Sequence, residues 1–380
     1  MKILLHDNQL HLRFAPLTLT RPVGNLRMGI WTNDERWKFL LPQAEIAFAT
    51  EAYLQHKFPS FEQADLTINA AVIPTKALAE AAIQLPEGTE LSWNGTWLAR
   101  KGSNISQTRS FDGAELLILE NRWDLYQKNG HVLKADYALL TAGRSSEPLP
   151  ASNTVIGDPK LIFLEAGASV EACILNTKEG PIYLGKDTEI MEGSLVRGPF
   201  ALCDGAGVKM GAKIYANTTV GPQCRVGGEI SNVIFQAFSN KGHDGFLGNS
   251  LIGEWCNLGA DSNSSNLKNN YGFVKTYSYE TGQMENTGVQ FMGVTMGDHS
   301  KCGINTMFNT ATTAGVSANI YGGNFPDKYI PSFTWGGAEG TVPFELPKAI
   351  AVAKAMMGRR HVEFTEGDAF IFSHLAGEKV

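Results

Sequence analysis

His243 stands in a Lys241-Gly242-His243 tripeptide within a glycine-rich polar turn. An imidazole titrates close to neutral pH, so it can take a proton from a reacting amine or hydroxyl. Glu229 lies fourteen residues before it, and Asn257 lies fourteen residues after it at the head of Asn257-Leu258-Gly259-Ala260. A polar tract with Asn266 and Lys268 follows. Binding and catalysis concentrate in loops carried on rigid scaffolds. A lone histidine in a turn is otherwise simply solvated, and asparagines also form inert ladders. The scaffold therefore decides what this stretch is worth.

The scaffold is legible from about residue 151 onward. Apolar residues recur every six positions at Leu184, Ile190, Val196, Leu202, Val208, Ile214, Val220 and Val226, and again at Met296, Cys302, Phe308, Ala314 and Ile320. An earlier run, Ile156, Ile162, Ala168 and Ile174, has the same step. A period of six fits neither a helix nor an alternating strand. It marks a hexapeptide parallel β-helix, in which each six-residue side turns one apolar residue inward and glycines make the corners. The beat is most disturbed between Glu229 and Tyr271.

Residues 1–150 read as an α/β domain. Lys2–Leu5, Leu66–Ile73 and Leu116–Leu119 have the pattern of buried strands. Trp31–Leu41 and Thr75–Gln84 have helical spacing, and their alternation with strands implies a mostly parallel sheet. Gly143–Asn153 is the expected linker. Phe344–Met357 reads as a C-terminal helix ended by Gly358 and followed by Arg359, Arg360 and His361, either a cap for the β-helix or an arm toward a neighbouring subunit. The expected domains are 1–150, 151–340, and 341–380 as helix and tail.

Composition narrows the classes. Hydrophobic residues at 43% and charged residues at 18% exclude wholesale disorder. A net charge of −6 argues against a nucleic-acid partner. The opening residues turn polar too quickly for a signal peptide, and no apolar run reaches the roughly 20 residues of a membrane helix. The five cysteines form no CxxC pair and are expected to be buried thiols in a reducing cytoplasm. No Cys/His cluster at ligand spacing suggests zinc.

Two resemblances follow from these residues. Pro16-Leu17-Thr18-Leu19-Thr20-Arg21-Pro22 resembles the end of the phosphate loop of sugar-phosphate nucleotidyltransferases, although His6-Asp7-Asn8-Gln9 stands where that loop's glycines belong and Val23 replaces its lysine. The resemblance implies a nucleoside triphosphate near Thr18, Arg21 and Arg27, with Mg2+ as a companion ion. Asp124 and Asp136, after strand-like runs, are candidate carboxylates for it.

Residues 184–323 resemble the acetyltransferase half of the bifunctional glucosamine-1-phosphate N-acetyltransferase / N-acetylglucosamine-1-phosphate uridylyltransferase family. The resemblance is carried by Gly242-His243, Phe246-Leu247-Gly248, Asn257-Leu258-Gly259-Ala260 and Asn266. It implies a left-handed β-helix, a homotrimer with shared sites, and acetyl-CoA as donor to an amino-sugar phosphate. It also implies roles: His243 as base, Glu229 as its orienting acid and the Ala260 N–H as oxyanion donor. Asn257, Asn266 and Phe246 would face sugar or coenzyme, with phosphate on Lys241, Arg225, Lys268 or Lys275. Here Phe246, Ser231 and Leu267 stand where the family has tyrosine, lysine and an aromatic residue. Two further readings stay open. One is a nucleotidyltransferase that uses the β-helix as an oligomerisation rod, and the other is a sugar-nucleotide-binding regulator without catalysis.

Overall fold

The computed structural model describes residues 1–377. The first domain holds a six-stranded sheet in the order 45–49, 2–6, 66–69, 96–101, 89–93, 107–110. Lys2–His6 pairs parallel with both of its neighbours, while Leu66–Asn69 meets Thr96–Lys101 antiparallel. The sheet is thus mixed rather than mostly parallel. The cause is the Thr89–Trp93/Thr96–Lys101 hairpin, which turns through Asn94 and Gly95 at φ 48° and 79°, the left-handed pair that a two-residue hairpin loop requires.

The two expected helices form at Asn33–Leu40 and Lys76–Ile83. Thr32 and Glu35 close a capping box on the first, and Thr75 caps the second. Leu116–Leu119 makes no strand, only a single bridge between Ile118 and Val72. Asp124–Thr141 is one 18-residue helix, so Asp124 and Asp136 lie on it rather than beyond strands.

Three sheets of nine, ten and eight strands build the left-handed β-helix, parallel throughout except for the hairpin strand that ends the ten-stranded one. The nine-stranded face docks on the first domain and is called the docking face. Its inward column runs Leu164, Leu184, Leu202, Val220, Phe235, Ile252, Met296, Ala314 and Ile330. Every one of these side chains is at most 4% exposed.

The six-residue beat from Leu184 onward is therefore the inward set. The run before it is only partly in phase: Ile162 is a core residue at 6% exposed and Ala168 packs on the core. Ile156 and Ile174 are 36% and 38% exposed, and Leu164, Val170 and Leu175 point inward instead. Two nine-residue sides, Val155 to Leu164 and Leu175 to Leu184, shift the register there.

Docking is close. The outer surface of the docking face is buried too, with Phe163, Tyr183 and Ala201 packed on Ile30 and Leu133. Gly130, in the middle of the Asp124–Thr141 helix, lies against Asn217, whose Oδ1 would be 2.0 Å from an added Cβ. A glycine there costs helix propensity but lets the helix touch the prism.

A long insertion between Ser264 and Thr295 carries the hairpin Lys275–Ser278/Gln283–Asn286. Arg122 ties it to the first domain through Thr276 Oγ1 at 2.6 Å. The ten-stranded face ends in the hairpin Thr334–Gly337/Gly340–Pro343. Leu346–Gly358 is the expected helix, and Glu366–Leu375 is a second one. The latter returns to the first domain, where Lys57 meets Asp368 at 2.7 Å and Tyr53 stacks on His374. The end of the expected tail, 378–380, lies outside the described residues. No helix among the described residues is long and apolar enough to cross a membrane.

Candidate functional site

The disturbance in the beat has two causes: the sides from Val226 to Ile230 and from Ile230 to Phe235 are shortened to four and five residues, and the next inward slot holds a lysine. Lys241 pairs with Val226 in an inward column and is fully buried. A lysine thus occupies a slot that every other coil fills with a smaller or apolar residue. Its Nζ reaches the neighbouring corner and donates to the carbonyls of His243 and of Asp244, the latter at 2.6 Å. Burial brings the amine down to about 8. The cation is spent on shaping the corner from inside. His243 follows two residues later on the outside, with its imidazole exposed.

Glu229 lies one coil below on the eight-stranded face, opposite Phe246. Among the described residues no hydrogen bond or ion pair joins it to His243. Phe246 donates its N–H to Asn263 Oδ1 at 2.8 Å. Ala260 follows the next corner, and its carbonyl accepts from Asn305 N–H at 2.8 Å. Asn266 is held inward, its Nδ2 donating to Asn249 Oδ1 at 2.7 Å. Lys268 and Lys275 belong to the insertion, where Lys268 Nζ donates to Phe273 O at 3.2 Å and Lys275 is exposed.

Asn257 belongs to a different grouping. On the ten-stranded face, Arg225, Asn240, Asn257, Lys301 and Asn319 stand in register on successive coils. We call it the ladder face. Beside this column Phe238 stacks on Trp255 at 4.2 Å and 7°, and Trp255 on His299 at 6.2 Å and 19°. All three rings sit at corner positions with φ between 54° and 61°. A cavity of about 560 Å³ opens between this face and Met356, Arg359 and Arg360 of the C-terminal region.

The sequence reading missed this convergence. Its signal was present once the register was known: Phe238-Ser239-Asn240, Trp255-Cys256-Asn257 and His299-Ser300-Lys301 repeat one aromatic–small–polar pattern, coil upon coil.

The first-domain candidates are all committed inward. Thr18 Oγ1 donates to His11 O at 2.5 Å. Arg21 donates to Glu254 Oε1 at 2.6 Å and to Asp298 Oδ2, and Thr20 Oγ1 reaches the same Asp298 oxygen at 2.7 Å. Burial would raise the Glu254 carboxyl, but the Arg21 charge outweighs it and holds the group at about 2. Asp298, more completely enclosed, is pushed up by desolvation. Arg27 exchanges bonds with Gln236: its N–H donates to Oε1 at 2.7 Å, and its Nε to the Gln236 carbonyl at 3.1 Å. To grip a phosphate, each arginine would have to leave a buried partner on the β-helix.

The turn after the first strand replaces glycines with Asn8 and Gln9 at φ 52° and 61°. Asp7 before them accepts from Val23 N–H at 2.9 Å and Thr50 Oγ1 at 2.5 Å. Burial, against these bonds, raises its carboxyl to about 7. Asp124 accepts the N–H groups of Glu120 and Asn121, and Asp136 pairs with Arg36 at 2.7 Å. These carboxylates are consumed, and the described residues offer no cluster of three acidic, His or Cys side chains for a metal.

A larger cleft, about 820 Å³, opens between the domains with Trp31, Lys38, Arg144, Tyr183 and Lys186 on its walls. Of the candidates only Arg27 borders it. Arg144 there is paired with Glu165 at 2.6 Å. All five cysteines are free and buried.

Comparison with known proteins bears on the first domain. Residues 3–145 match a family described as sugar nucleotidyl transferase. The match spans the first domain and stops before the β-helix. No curated protein matches it. Among solved structures it is similar to the polySia-specific acetyltransferase NeuO, at 13% identity over 50% of this chain and 82% of that one, TM-score 0.28. It is also similar to the UDP-N-acetylglucosamine acyltransferases of Francisella novicida and Arabidopsis. The first shows 12% identity over 60% and 88% of the two chains with TM-score 0.28, and the second 14% over 58% and 78% with TM-score 0.26. Likeness at this level says nothing of activity.

Proposed function

We propose that the chain is an acetyl-CoA-dependent N-acetyltransferase acting on an amino-sugar phosphate. The observation that carries this reading is the corner at 241–243: a buried lysine shapes it from within and leaves a lone imidazole outside, near two successive coils whose Asn240 and Asn257 face an open cleft. In the proposed reaction the sugar amine attacks the thioester carbonyl carbon while its proton passes to His243 Nε2 or Nδ1. The tetrahedral oxyanion takes the Ala260 N–H. The carbon–sulfur bond then breaks and the proton returns from His243 to the departing thiolate. Asn257 orients the ligand, with Lys301 beside it and Arg225 beyond Asn240 as the cations of the ladder. Acetyl-CoA supplies the acyl group and its thioester activation.

In this reading the active unit is a homotrimer formed through the eight-stranded face. That face presents Ile174 and Leu195 in register, 38% and 44% exposed, with Tyr215 at 43% nearby. Sedimentation equilibrium is the check, and a monomer at micromolar concentration contradicts it. The activity test is thiol release from acetyl-CoA with glucosamine-1-phosphate and related amino-sugar phosphates. A folded protein silent on all of them overturns the reading.

A second reading rests on the family match of residues 3–145: nucleotidyl transfer to a sugar phosphate, with the β-helix as a rod. It predicts pyrophosphate release from UTP or dTTP that depends on the first domain. The commitment of Thr18, Arg21 and Arg27 to internal partners favours the first reading.

A further inference from the structure

The cleft on the ladder face has a chemistry of its own. Three cations line it, Lys301 on the face and Arg359 and Arg360 behind the Leu346–Gly358 helix, and a fourth, Arg225, stands one coil beyond Asn240 on the same face. None of the four forms an ion pair among the described residues. Lys301 Nζ has only its own coil's His299 carbonyl, at 2.7 Å, and Arg225 Nη1 donates only to the carbonyls of Gly205 and Cys224, at 2.6 and 2.9 Å. Burial holds the Lys301 amine down at about 8. Glu189 lies further along the face toward Arg225, but no carboxylate is among the cleft's lining residues, and like charges gathered at such a concave surface are the arrangement in which an anionic ligand is worth most.

Two further observations narrow the anion. The side-chain amides of Asn240 and Asn257, adjacent in register and lining the cleft, have no hydrogen-bond partner among the described residues. By contrast, Asn263 and Asn266, whose side chains also lie along the coils, are each engaged by a protein partner. Free amides at a cavity wall are suited to ring edges and sugar hydroxyls. Beside them Phe238, half-buried, ends the Phe238–Trp255–His299 stack and offers an aromatic surface. Aromatic faces take planar rings by stacking, and arginines take phosphates by paired N–H donation.

We infer that the ladder face and the residues behind the C-terminal helix form a binding site for a phosphate-bearing nucleotide, with Arg359 and Arg360 gripping the phosphates, Asn240 and Asn257 reading the polar edges, and the aromatic stack carrying the ring. The C-terminal helix is then a clamp as well as a cap. Which nucleotide occupies the cleft rests on the acyl-transfer reading. If that reading holds, the nucleotide is the adenosine-phosphate end of the acyl donor. If it fails, the same chemistry fits a nucleoside triphosphate.

Calorimetric titration of the full chain with coenzyme A, 3′-dephospho-coenzyme A and UTP separates these sources. Binding of coenzyme A ahead of UTP supports the acyl donor, and the reverse order supports a nucleoside triphosphate. Either should weaken by tenfold or more in R359A/R360A, with an unchanged melting temperature because Arg359 is exposed, Arg360 is half-buried, and neither side chain has a hydrogen-bond or ion-pair partner among the described residues. R359K/R360K should recover part of the loss. The affinity should also fall with salt. Binding that is equally tight in R359A/R360A, or absent for all three probes at millimolar concentration, overturns the inference. Acetyl transfer with an unaltered KM for acetyl-CoA in R359A/R360A likewise sinks the clamp, while leaving the proposed activity intact. Nucleotide binding that is lost in R359A/R360A, in a protein that transfers no acetyl group, supports the clamp and sinks the activity.

Discussion

The loop at 16–27 and the corner at 241–243 look alike in sequence. Each is a short polar segment with a cation in a backbone of turn residues, and each resembles a ligand-binding motif. Their fates differ. In the loop, Arg21 and Arg27 point into the interface and meet Glu254, Asp298 and Gln236 of the β-helix. In the corner, the cation also turns inward, but it takes backbone carbonyls and leaves its neighbour His243 in solvent. A cation's partner, more than its motif, decides whether it can serve a ligand. A buried arginine between two carboxylates is held by desolvation as much as by attraction, and it joins the two domains.

The largest way to break this contrast is Arg21→Ala. It strands Glu254 and Asp298 as buried carboxylates without their cation, so denaturant unfolding should show a loss of about 3–5 kcal/mol. A phosphate-gripping arginine would leave stability nearly unchanged and abolish nucleotide binding instead.

Acid should weaken the same latch. The folded Glu254 carboxyl lies at about 2, below its ordinary value of 4.5, so its contribution is present above pH 4.5 and fades as pH falls toward 2. Asp7 has the opposite sign. Raised from 3.8 to about 7 by burial, it adds stability below pH 4 that is lost as pH rises to 7. Asp7→Asn should flatten that decline in melting temperature, and an unchanged slope would show that Asp7 carries no such charge penalty.

Lys241 sharpens the comparison from the other side. Its amine is down at about 8 from 10.5, so the folded state binds fewer protons and stability should rise between pH 8 and 10.5. Lys241→Met should remove that rise. Should the rise persist in the variant, the lysine is not the buried group that shapes the corner. The smallest effect belongs to Glu229→Gln. With no bond to His243 in this structure, it should change turnover by less than about tenfold, well under the loss expected for a positioned base.

The fold was legible where the chain repeats itself. From Leu184 to Val226, and again from Met296 to Ile320, successive inward slots come six residues apart, so one pattern is sampled many times. At Ile156 and Ile174 the beat misleads because nine-residue sides move the inward positions by one or two places. The Asp124–Thr141 helix was hidden by Asn129 and Gly130 at its centre. Both answer to the β-helix rather than to helix propensity: Asn129 donates to Asn217 O at 2.8 Å, and Gly130 makes room for the Asn217 side chain. The Asn94-Gly95 turn was readable and was passed over. Of the ladder-face cleft only the repeating face was readable, since Arg359 and Asn257 come to line one cavity only through packing of the C-terminal helix. The inward turn of Lys241 was equally out of reach, because a Lys-Gly-His tripeptide does not say which way its lysine points.

The most direct test of the central claim is turnover of the His243→Ala variant, followed by thiol release from acetyl-CoA with glucosamine-1-phosphate as acceptor. The account predicts a fall of roughly 100- to 10,000-fold, the range a positioned base supplies. Acetyl-CoA should still bind and the melting temperature should hold, because the imidazole is exposed. Raising the pH should recover part of the rate as more of the amine is already free. Full turnover in His243→Ala would contradict the account.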